Sequence, residues 1–142
     1  MKSVILKMAA QVVKFFFLGI SVWLLFRGHN YPGGGFIGGL IAGSALIFDR
    51  MAFDTDVINE KPGKKGTVFL PLGMGCVLIS MIAGAIGKKA VMEGLWVQFN
   101  IPGIQEPIKM GTPILFDIGV YFTVIGFIYL IYKSIMEEWQ WK

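Results

Sequence analysis

TPILFDIGVYFTVIGFIYLIY, residues 112–132, is a run of 21 residues broken by one charge, Asp117. At 1.5 Å per residue a helix of this length covers about 30 Å, the thickness of a bilayer's hydrocarbon core. Three further runs of similar character precede it, at about 4–26, 33–53 and 67–87. All four are continuous and none alternates between apolar and polar, so a β-barrel is rejected. In lipid every backbone polar group needs an internal partner, which makes helices the expected form. The fold class read from the sequence is therefore an all-α integral membrane protein of four transmembrane helices, with residues 1–142 as a single membrane domain.

The composition agrees. Hydrophobic residues make up 55% of the 142, charged residues 15%, and the mean hydropathy is +0.67. A soluble domain carries roughly a quarter charged residues, so this chain lacks polar cover for a globular surface. Met1-Lys2 before an apolar stretch imitates a signal peptide, but Lys7, Gln11 and Lys14 interrupt it and no small-x-small site follows. It is read as a retained first span.

The net charge of +4 raises nucleic acid as a partner. The thirteen basic residues are scattered, and a nucleic-acid site needs them clustered on one face. That reading is rejected. Membrane topology accounts for the charge better, because Lys and Arg gather on the cytoplasmic side of spans. Four spans put both termini and the loop after the second span on one side. That side holds eight basic residues: Lys2, Lys7, Arg50, Lys61, Lys64, Lys65, Lys133 and Lys142. The other holds four: Arg27, Lys88, Lys89 and Lys109. Both termini are expected in the cytoplasm, in a multi-pass protein of the cell membrane. The outside segment between spans three and four alternates weakly at 96–101 and then turns at Pro102-Gly103, which suggests a short hairpin. Trp96, Trp139 and Trp141 suit the membrane interface.

The densest motif, RGHNYPGGGFIGG at residues 27–39, opens the second span. Gly33, Gly35 and Gly38 formally match GxGxxG, but no strand precedes them to position a dinucleotide. Packing explains them better. Gly35, Gly39 and Gly43 recur every four residues, and Gly34, Gly38 and Ala42 run beside them. Lipid does not drive helices together by the hydrophobic effect, so association depends on close backbone approach, which small residues allow. The stripe suits a helix of this chain or of a partner. Echoes occur at Ser80, Gly84 and Ala85, and at Gly119, Thr123 and Gly126. Pro32 and the following glycines suggest either a tight turn or an unwound start to the second span.

Few ionisable groups lie within the spans. Lys14 either snorkels to the cytoplasmic surface or pairs with a carboxylate inside the bundle. Asp117 lies about one and a half turns into the fourth span, where an unpaired carboxylate is costly. Arg27 and His29 share its level, and Arg27 is the expected neighbour. The cluster is either a structural ion pair or part of an ion pathway. Asp49 and Arg50 close the second span and read as an interfacial pair. The one histidine, His29, and the one cysteine, Cys76, assemble no metal site, and no nucleophile motif is present. No cofactor, metal or catalytic residue is expected.

GHN at residues 28–30 followed by PGGGFIGG at 32–39, and GTPILFDIGVY at 111–121, closely resemble the signatures of the MnhB subunits of multisubunit Mrp (Mnh) sodium/proton antiporters. The resemblance extends over nearly the whole chain. It departs at Tyr31, where the family often has a small residue, and in a longer, more charged loop after the second span. It implies a non-catalytic membrane subunit that packs against other subunits of a complex exchanging Na+ for H+. Its helices would line or support the ion path. The positions it singles out are His29, Pro32, Phe36 and Asp117. Relatives of this subunit also occur in membrane-bound hydrogenases and related redox-driven pumps, which is the alternative setting.

Overall fold

The computed structural model describes residues 4–28, 33–53, 66–86, 96–99 and 108–140, with the backbone alone at 96–99, 108–110 and 140. His29 and Pro32 lie outside the described residues, as do Tyr31, Lys61, Lys64, Lys65, Lys88, Lys89 and Trp141. Among the described residues are four helices: α1 (Val4–Arg27), α2 (Gly35–Phe53), α3 (Phe69–Ile86) and α4 (Thr112–Gln140). All four are long and apolar enough to cross a membrane. Before α4 come two strands, β1 (Trp96–Phe99) and β2 (Ile108–Gly111), paired antiparallel with Trp96 opposite Gly111.

The helix ends follow from local chemistry. Pro71 is the third residue of α3 and Pro113 the second of α4. Both sit in a first turn, where a missing N–H costs no intrahelical bond. The fourth helix runs past residue 132 to Gln140. Beyond the apolar run it continues through helix-forming polar residues, with Lys133 and Glu137 one turn apart at 3.7 Å. The α1–α2 turn depends on glycine. Gly34 adopts φ of 92°, and its N–H donates to the Leu24 carbonyl at 2.9 Å. That bond satisfies one of the orphan carbonyls at the end of α1. A Cβ on Gly28 would fall on the Gly34 backbone. The two chain segments cross too closely for any side chain.

Packing is a row rather than a square. α1 packs on α2, α2 on α4 and α4 on α3, with a thinner contact between α1 and α4. The core combines small, aliphatic and aromatic residues: Ala42, Ala45, Leu25, Ile125, Tyr121 and Tyr129 are buried, and Phe69 stacks on Phe122 at 5.7 Å. The outer helices turn large apolar side chains outward, among them Phe15, Phe16 and Trp23 on α1 and Leu78, Ile79 and Ile82 on α3. So much exposed apolar surface would aggregate in water. In a bilayer it is the ordinary surface.

Candidate functional site

The glycine stripe of α2 is filled from within the chain. A Cβ on Gly35 would land on the Asp117 carbonyl oxygen of α4. One on Gly39 would come within 2.8 Å of both the Tyr121 carbonyl oxygen and Val124 Cβ, and one on Gly43 within 2.8 Å of Ile128. Gly38 turns towards α1, where a Cβ would sit 2.7 Å from the Ser21 carbonyl oxygen and 3.3 Å from the Tyr121 ring. The two stripes therefore seat two helices of this chain, α4 and α1, and leave α2 little smooth surface for a partner. On its remaining side Phe36 is 59% exposed. The smaller echoes have the same use: Gly119 meets Val77 and the Gly73 carbonyl of α3, and Gly126 meets Leu70. Ser80 donates to the Thr112 carbonyl at 2.7 Å.

Through the gap left by Gly38, α1 and α4 join by a hydrogen bond that the sequence does not announce. Ser21 is 0% exposed and its hydroxyl donates to the Leu18 carbonyl at 2.8 Å. Its single proton is then used, so Tyr121 Oη donates to Ser21 Oγ across 3.0 Å. Removal of either partner has unequal consequences. Tyr121→Phe leaves Ser21 bonded to Leu18 and should cost about 0.6 kcal/mol, the usual value for such bonds in membranes. Ser21→Ala strands a buried tyrosine hydroxyl and should cost about 1–3 kcal/mol. Thermal inactivation of the assembled protein should rank Ser21→Ala below Tyr121→Phe.

Among the described residues, the charged groups singled out by the sequence fall into two places. Lys14 Nζ lies 3.0 Å from Asp49 Oδ2, joining the middle of α1 to the end of α2, with the side chains 28% and 19% exposed. Lys14 thus has a carboxylate partner, part-buried between α1 and α2, and Asp49 faces this lysine across 35 residues of sequence. Arg50 instead lies over the Tyr129 ring at 5.1 Å. Proximity in sequence suggested an Asp49–Arg50 pair. Consecutive helical residues point about 100° apart, so each faces a different neighbour.

The second place is the α1–α2 turn. Asp117 is half-buried, and its carboxylate oxygens are 3.7 and 3.8 Å from where a Cβ on Gly34 would stand. The carboxylate is therefore beside the N-terminal turn of α2, an end that favours negative charge. Arg27, the last residue of α1, holds its guanidinium over the Trp23 ring at 4.7 Å.

Comparisons with known proteins give one answer. A family model described as "domain related to MnhB subunit of Na+/H+ antiporter" matches residues 5–130. The chain is 33% identical to the Na+/H+ antiporter B subunit of Alkalihalophilus pseudofirmus over 136 residues, 96% of this chain and 94% of that one. It is 29% identical to the protein of the same name in Bacillus subtilis over the same shares. Its fold is similar to part of the Mrp complex structure from Dietzia sp. DQ12-45-1b, with a TM-score of 0.76 and 23% identity. That match covers 93% of this chain and 14% of the other. A family match over residues 5–130 and a relative at one third identity along nearly its whole length leave one assignment: the chain belongs to the family of domains related to the MnhB subunit of Na+/H+ antiporters.

Proposed function

We propose that the chain is a non-catalytic membrane subunit of a multisubunit Na+/H+ antiporter, packing against partner subunits and supporting the path of Na+ and H+ through the complex. The observation that carries this reading is the end-to-end match to an antiporter B subunit, over 96% of this chain and 94% of the relative. The distribution of charge favours a component over a complete transporter. Lys14 and Asp49 neutralise each other between α1 and α2, and a relay across the whole bilayer would need further groups from partners. Both termini are proposed to be cytoplasmic, which puts the β1–β2 ladder and Asp117 towards the outer surface. In the same reading Asp117 and Arg27 are the charged groups nearest that surface on α4 and α1.

Deletion of this chain's gene should reduce Na+-induced proton release from everted membrane vesicles to background, and a plasmid copy should restore it. Vesicles energised by ATP alone separate the two settings of this subunit. An antiporter still exchanges Na+ for H+ there, whereas a redox-driven pump stays silent without an electron donor. Loss of exchange in ATP-energised vesicles on deletion is the expected result. Exchange that persists unchanged would refute the proposal.

A further inference from the structure

Because α2 and α3 both pack on α4, a wedge is left between them. It is a cavity of about 310 Å³, at the lower end of the roughly 300–1,000 Å³ of small-molecule sites. Leu46, Ile47, Phe69 and Ile125 make its apolar wall, and Arg50 and Tyr129 line it as well. Arg50 is three residues before the end of α2 at Phe53, and Phe69 is the first residue of α3. The cation therefore stands where two helices meet one membrane surface. Gly43, seven residues earlier on α2, lines the deep end, about 10 Å further into the bilayer. The cavity thus has a cation at the membrane surface and hydrocarbon below it.

That polarity, laid along the bilayer normal, matches one class of molecule. We propose that the cavity binds an anionic phospholipid, with its phosphate on the Arg50 guanidinium and an acyl chain against Leu46, Ile47, Phe69 and Ile125. A guanidinium carries five donors in a fixed fork and can bind a phosphate in addition to the contacts it already makes within the chain, the Tyr129 ring among them. Cation–π contact with the ring holds the group at the cavity. On the proposed topology, on which this inference rests, the surface faces the cytoplasm, where anionic lipid is concentrated and basic pockets bind headgroups.

The test uses the whole complex, reconstituted in vesicles of phosphatidylcholine that contain phosphatidylglycerol with a photoreactive acyl chain. Cross-linked peptides should come from the α2, α3 and α4 segments that wall the cavity. Labelling should exceed that of the matching phosphatidylcholine probe about fivefold, the discrimination expected from one basic residue at the surface. Arg50→Gln should remove the preference, Arg50→Lys should keep part of it, and Ile47→Trp should fill the cavity and end labelling by both probes. Equal labelling by the two lipids, or a preference unchanged by Arg50→Gln, would overturn the proposal. So would an intact complex in which these segments are never labelled, because a partner subunit then fills the wedge. If Arg50→Gln fails to assemble, competition on the unmodified complex decides. Unlabelled phosphatidylglycerol must displace the probe and phosphatidylcholine must not. None of these outcomes depends on ion exchange, so a failed antiport assay would leave the lipid result standing.

Discussion

Gly35→Leu should leave no assembled complex in the membrane, although the substituted residue lies in a helix and leucine is the better helix former. The reason is the α2–α4 interface. Even the first carbon of a side chain at this position falls on the Asp117 carbonyl oxygen, which belongs to the rigid hydrogen-bond ladder of α4 and cannot swing aside. Overpacking against adaptable side chains costs about 1–3 kcal/mol. Here backbone meets backbone, and the helices must separate. Separation also opens the contacts of Gly39 with Tyr121 and Val124 and of Gly43 with Ile128, so the loss spreads along the interface. Gly39→Leu should behave alike, since a Cβ there meets the Tyr121 carbonyl at 2.8 Å. Gly75→Ala and Gly19→Ala are the controls. Nothing lies within 4 Å of a Cβ at either position, and both variants should assemble at normal abundance. Native gel electrophoresis of detergent extracts reads the outcome. A Gly35→Leu complex present at the abundance of Gly75→Ala would show that the interface tolerates separation.

The spacing of small residues announced this interface, because lipid leaves close backbone approach as a principal source of helix association. Spacing does not say which helix is approached. That depends on the order of helices in the row, and the order is a property of pairs far apart in sequence. The same limit hid the partner of Lys14. The lysine's place within a span makes a carboxylate partner one of two readings, but Asp49 is 35 residues away and its nearest charge in sequence is Arg50. Two helices must be laid side by side before the pair exists. Ser21 and Tyr121 are further apart still, at 100 residues. A serine within an apolar run bonds its own helix as readily as another, so only the adjacent Gly38 hinted at an opening beside it. The wedge beneath Arg50 had no sequence signal, since it comes from two helices sharing a third.

Asp117→Asn should abolish Na+-dependent proton exchange while the complex assembles normally. Two physical roles are open to this carboxylate, and the amide separates them. Beside the N-terminal turn of α2, an acceptor oxygen can satisfy helix N–H groups, and asparagine does that as well as aspartate. If Asp117 only caps the turn, Asn retains both assembly and transport, whereas Ala loses a cap worth about 0.5–2 kcal/mol. If its charge serves the ion path, Asn and Ala lose transport alike and both assemble. The second outcome is expected. A neutral cap would serve the turn without the cost of a carboxylate at membrane depth, and ionisable groups held at that depth mark ion and proton routes. Exchange measured in everted vesicles, with abundance measured on the same membranes, gives both readouts. Normal exchange in Asp117→Asn would return the residue to a structural role and move the ion path to the partner subunits.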